Sequence, residues 1–111
     1  MTLMLDTVRS QPLNAKLAFN YDVCGMTRNS PYTGEAEVRK VDESRFRRIV
    51  GGTVKPVTLN FLDVVDGPRT RRRRTVDLAG LPPGKYVLDL VVVDGRNRRA
   101  NSYRQFQILE R

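Results

Sequence analysis

Apolar residues recur at every second position over most of this chain. Tyr86, Leu88, Leu90 and Val92 share one face of the stretch that follows Leu81-Pro82-Pro83-Gly84. That spacing is the period of a strand, not of a helix. Leu17, Phe19, Tyr21 and Val23 repeat it over a strand predicted from Lys16 to Gly25, with Asn20 and Asp22 on the other face. Ala36, Val38 and Lys40 alternate with Glu35, Glu37, Arg39 and Val41, and Val57, Leu59 and Phe61 line one face of a strand over Val54 to Val65. Val76 and Leu78 close a strand over Thr70 to Leu78, and Phe106 and Ile108 point inward from Arg99 to Leu109. Thr2 to Val8, with Leu3 and Leu5 on one side, predicts a first strand, and Phe46 to Val50 a short one, or a turn capped by Ser44. No window holds an i, i+3, i+4, i+7 apolar face over three turns.

Breakers separate these segments. Gln11-Pro12-Leu13-Asn14 ends the first, Gly25 to Gly34 reads as a loop, and Gly51-Gly52 and Asp66-Gly67-Pro68 mark turns. Asp94-Gly95-Arg96-Asn97 is the best hairpin turn, because Gly and Asn accept positive φ cheaply. Seven or eight short strands of this kind predict an all-β, two-sheet antiparallel sandwich of immunoglobulin-like type.

The corner sharpens the picture. Leu81-Pro82-Pro83-Gly84-Lys85-Tyr86 followed by alternating apolar residues resembles the corner of fibronectin type III and related immunoglobulin-like modules. The resemblance implies that Leu81 anchors the corner and that the Tyr86 hydroxyl bonds back to nearby backbone. Val76-Asp77-Leu78 is similar to the strand that enters such a corner. A narrower likeness, over residues 16 to 109, is to the C-terminal sandwich of GWxTD-type bacterial proteins. It is carried by Leu17 to Val23, by Val57 to Phe61 and by the Leu-Pro-Pro-Gly…Tyr…Val-Asp ending. The tetrad that names that family is absent. This likeness implies an envelope or secreted setting and no catalytic residues.

Composition removes several chemistries. The 111 residues suit one domain, 1–111, expected to be a piece of a longer protein. With no His, neither a Ser-His-Asp triad nor a His-based zinc site can form. Cys24 is the lone cysteine, so no intrachain disulfide exists, and its expected role is that of a small apolar strand residue. The first residues lack the basic start and apolar run of a signal peptide. No stretch approaches the ~20 apolar residues of a membrane helix. A periplasmic or secreted location is expected if the chain is excised from a longer protein, a cytoplasmic one if it is full-length.

Charge supplies the main functional candidate. The net charge is +8, and Arg69, Arg71, Arg72, Arg73 and Arg74 place five arginines in six residues. Arg96, Arg98, Arg99 and Arg104 form a second group. Arginine's planar fork suits phosphates, so the arginines of the first group, with Arg96, Arg98 and Arg99, are candidate contacts for nucleic acid, an acidic glycan or anionic lipid. The competing reading is a charged edge strand that discourages aggregation. In a simple sandwich the two groups fall in different sheets. Tyr32 and Tyr103 are the aromatics left over for stacking bases, and neither lies in the arginine run.

Other candidates are weaker. Asp42, Glu43 and Asp66 could bind calcium only if their loops met at one end, while Asp63, Asp66 and Asp94 fit turn positions that bond local amides. Gly51-Gly52-Thr53 lacks the rest of a phosphate loop. Val87, Val91 and Val93 face outward from the last long strand but one, which suggests a covered sheet face. Their cover would be another domain of the parent protein, a homodimer partner, or residues 42 to 50. The sequence therefore predicts a non-enzymatic interaction or spacer module of a larger bacterial protein, with polyanion binding as the alternative. No catalytic, metal or cofactor residue is assigned.

Overall fold

The structure, a computed structural model, describes residues 1–41 and 55–110. They form β1 (Thr2–Leu5), β2 (Gln11–Pro12), β3 (Lys16–Cys24), β4 (Pro31–Lys40), β5 (Val57–Val64), β6 (Arg69–Asp77), β7 (Gly84–Asp94) and β8 (Arg99–Leu109). One sheet has the order β1-β3-β6, the other β2-β8-β7-β4-β5. All pairings are antiparallel except β2 with β8. This is an immunoglobulin-like sandwich. The segment expected at 46–50, the Gly51-Gly52-Thr53 turn, and Asp42 and Glu43 lie outside the described residues.

The alternation explains the core. Leu17, Phe19, Tyr21 and Val23 of β3 face Tyr86, Leu88, Leu90 and Val92 of β7, with Ala36, Val38, Val76, Phe106 and Ile108 around them, all buried. Asn97 takes φ 63° in the β7–β8 turn, as expected there. Asp94 organises that turn by accepting from the Arg96 and Arg98 amides, each at 2.9 Å. At the opposite end of β7 the Tyr86 hydroxyl donates to the Pro82 carbonyl at 2.7 Å, with Leu81 buried beneath the corner. The corner thus has the geometry expected from its sequence.

Three boundaries differ from the sequence reading. β4 begins at Pro31, inside the segment read as a loop, because Tyr32 and Gly34 also face the core. A first-position proline costs a strand no ladder bond. The first strand stops at Leu5, because residues 6–10 carry the chain across to the other sheet. Gln11–Pro12, read as a break, then pairs with Ile108–Leu109.

Candidate functional site

Alternation sends the arginines of β6 two ways. Arg69, Arg71 and Arg73 lie on the outer face of the three-stranded sheet, in register with Cys24, Asp22 and Asn20 of β3. Arg72 and Arg74 have the parity of the buried Thr70 and Val76. They sit at the sheet's edge, so their guanidiniums reach out of the core into the seam between β6 and β5.

Each half of the run meets carboxylates. Asp22 accepts from Arg69 Nη2 at 2.8 Å and Arg71 Nη1 at 3.2 Å, and Arg71 also pairs with Asp6. In the seam, Asp63 Oδ2 accepts from Arg72 Nε at 3.0 Å and Arg74 Nη2 at 2.7 Å, while Asp66 holds Arg72 Nη1 at 3.1 Å. Four aspartates thereby engage four of the five arginines. Arg73 makes no ion pair with a described residue.

The partners set the ionisation of these carboxylates. Arg69, then Arg71, hold the Asp22 carboxyl below the usual range against the cost of its burial. Burial works against the charge of Asp63 too, but the Val64 amide and the Arg72 and Arg74 guanidiniums outweigh it and lower its pKa. Thr70 and Arg72 lower that of Asp66.

The seam also has an aromatic floor. The Phe61 ring crosses Gly34, its register partner on β4, and a Cβ on Gly34 would come within 2.2 Å of that ring. Arg74 covers the ring, its guanidinium carbon 4.3 Å from the centroid, a cation–π arrangement. Tyr21 lies beside Phe61 at 6.0 Å between centroids, and its hydroxyl meets the Tyr32 hydroxyl at 2.9 Å. Tyr32 is therefore no stacking platform, contrary to expectation. It is 1% exposed, and burial together with the Tyr21 hydroxyl pushes its ionisation upward.

Most of the second arginine group lies elsewhere. Arg98 Nε bonds Asp94 at 2.7 Å, and Arg104 Nε donates to the Leu5 carbonyl at 2.9 Å. Arg96 and Arg99 are exposed, Arg99 on the outer face of the five-stranded sheet. Arg96, Arg98 and Arg99 thus lie apart from the β6 run, whereas Arg104 lines one groove with Arg69 and Arg71. Tyr103 is exposed on the same outer face as Arg99, but in one cross-strand row with Glu37 and Asp89. A polyanion stacked there would meet two carboxylates.

Val87, Val91 and Val93 share that face. Val87 is 7% exposed, and Val91 and Val93 are half-buried. Polar neighbours interrupt the stripe: Arg39 bridges Glu37 and Asp89, and Asn101 bonds Asp89. Asp66, one of the three acidic residues considered for calcium, is bound to Thr70 and Arg72. Among the described residues no group of three or more His, Cys, Asp or Glu could hold a metal ion, and no helix is long and apolar enough to cross a membrane.

The sequence reading missed the seam. It depends on β5 and β6 lying side by side at the edges of two sheets, a placement no local pattern encodes. Asp63 and Arg74 were visible only as a turn residue and part of a charge run. No family model matches the chain, and no curated protein is similar to it.

Proposed function

We propose that the chain is a non-catalytic, in-line module of a larger protein, serving as spacer or interaction domain. The observation that carries this is the placement of its two ends. β1 starts beside Cys24, at the end of the sandwich that holds Gly25 and the Asp94–Gly95 turn. β8 finishes beside Gly84, at the opposite end, next to the tyrosine corner. A domain whose chain enters at one end and leaves at the other holds its two neighbours in the polypeptide apart. The likeness of the corner to fibronectin type III modules, and of the wider pattern to GWxTD-type bacterial proteins, agrees with this role and favours an envelope or secreted setting.

Polyanion binding is the weaker reading. At Arg69, Arg71, Arg72 and Arg74 an incoming phosphate would compete with aspartates that already hold the guanidiniums, which leaves Arg73, Arg96 and Arg99 to carry the contact. Small-angle scattering of the domain flanked by a folded tag at each end tests the in-line role. An extended particle with the domain in the middle is expected, and tags lying side by side would overturn it. Heparin retention separates the two readings. The triple variant Arg73→Ser/Arg96→Ser/Arg99→Ser should lose no more retention than the equally charged control Arg9→Ser/Arg28→Ser/Lys55→Ser. A selective loss in the first variant would favour the polyanion reading.

A further inference from the structure

Edge strands present unpaired backbone groups, and stable proteins blunt them. Among the described residues, three of the four sheet edges are blunted. On β1, the Leu5 amide donates to Ser102 Oγ at 3.4 Å and the Leu5 carbonyl accepts from Arg104 Nε at 2.9 Å. β2 is two residues long and ends in Pro12. β6 carries the five arginines.

β5 lacks these devices. It has no charged residue from Val57 to Leu62, and its register with β4 runs unbroken from Val57 to Val64. Leu62 is 70% exposed, more than any other large hydrophobic residue described. The phase of its backbone is set at its end. The Val65 amide donates to the Ser30 carbonyl at 3.0 Å, and the Asn29 amide to the Val65 carbonyl at 2.9 Å. Odd-numbered residues therefore turn their main-chain groups toward β4, and even-numbered residues turn theirs to the free edge. At one limit the Val64 amide donates to Asp63 Oδ1 at 2.7 Å, and its carbonyl accepts from Arg72 Nη2 at 3.2 Å. At the other stands Pro56, which has no amide to offer. Between them the N–H and C=O of Thr58, Asn60 and Leu62 meet no partner among the described residues.

We propose that this edge pairs with β5 of a second copy, antiparallel, across a two-fold axis at Asn60. In that register Asn60 lies opposite Asn60, and Thr58 opposite Leu62. The residues with open main-chain groups are thus the ones matched, giving about six intermolecular hydrogen bonds. Val64 falls opposite Pro56 at both ends, where neither residue has a free amide. The same limits bound the pairing twice, as two-fold symmetry requires. Side chains agree with it. Leu59 comes opposite Phe61 of the second copy, joining two half-buried apolar residues across the axis. Asp63, the one charged residue of β5, lies diagonally from Lys55 of the second copy. One strand per copy gives a small interface, hence a weak dimer that depends on concentration. The dimer is independent of the in-line reading, which a monomer would leave standing.

Sedimentation velocity over micromolar to millimolar protein tests the proposal. The wild type should shift from monomer to dimer. Asn60→Pro should abolish the shift without unfolding, since the Asn60 amide makes no bond to β4. Leu62→Lys, at an exposed site, should do the same by placing a charge on the edge. Val91→Asp/Val93→Asp should leave the dimer intact. The register has its own readout in a Cys24→Ser background. Mild oxidation should cross-link Asn60→Cys, which meets itself across the axis at a spacing that suits a disulfide, and not Thr58→Cys. A monomer at every concentration would overturn the proposal, whatever other strand the edge accepts. So would a dimer abolished by the valine variant but not by Leu62→Lys, or equal cross-linking at both cysteines.

Discussion

The inward face of β7 and the inward face of β6 look across the same sandwich and are built on different principles. β7 is a central strand, and Tyr86, Leu88, Leu90 and Val92 are sealed from water on every side. β6 is an edge strand, and two of its four inward positions are Arg72 and Arg74. A guanidinium in the middle of β7 would be buried without access to water, at a cost of several kcal/mol. On β6 the same group needs only to run its aliphatic stem over apolar neighbours before it reaches Asp63. Position in the sheet therefore decides which inward residues the period-2 pattern permits. Central strands require apolar ones. An edge strand accepts long cations if a carboxylate waits at the rim.

The comparison breaks most readily at its apolar side. Leu88→Ala should lose about 2–5 kcal/mol of stability in urea unfolding, through lost burial and the cavity left behind. A loss as small as that of an exposed β8 position would mean that β7 is not the centre of the core. Next comes Gly34→Val. Its side chain needs the space of the Phe61 ring, so the ring must leave, and Arg74 loses its platform. The expected cost is about 1–3 kcal/mol. Phe61→Ala/Gly34→Val should recover part of it, and failure to recover would show that Gly34 matters for a reason other than this contact. Smaller again is Tyr86→Phe, on the order of 1 kcal/mol for the partly buried bond to Pro82. A neutral result would remove the corner from the features that hold the fold.

These two faces were not equally legible in the sequence. The Tyr86 face could be read directly, because a central strand buries each inward residue and leaves an unbroken period of two. The Leu81–Tyr86 corner could be read because one hydrogen bond between residues four apart needs no knowledge of the rest of the chain. The start of β4 was hidden by Pro31 and Gly34, which punctuate loops far more often than strands. Gly34 belongs to the strand because Phe61, its cross-strand partner, fills the volume it leaves empty. The arginine run was read correctly as an edge strand and incompletely as a charge cluster. Its aspartate partners come from residues 6, 22, 63 and 66: the β3–β6 pairing brings Asp22 to the run, and the crossing from β5 to β6 between the two sheets brings Asp63 and Asp66. Long-range register is the information a local pattern lacks.

The finest test of the comparison is acid titration, because the two faces respond to protons differently. The apolar face has nothing to titrate below neutrality. On the ionic side Asp63 and Asp66 both have folded pKa values below their unfolded ones. The unfolded chain binds these protons first, so the stabilisation is complete above about pH 4, the unfolded carboxylate value. It fades as pH falls from there through the lowered folded values. Unfolding free energy should thus be level from neutrality to about pH 5 and then decline. Asp63→Asn should start lower, because Arg72 and Arg74 lose their shared acceptor, and should then decline less steeply than wild type. Leu88→Ala should start lower still and keep the wild-type slope. Parallel curves for Asp63→Asn and wild type would show that the seam's carboxylate adds nothing to folding, and that the arginines of β6 face inward on apolar packing alone.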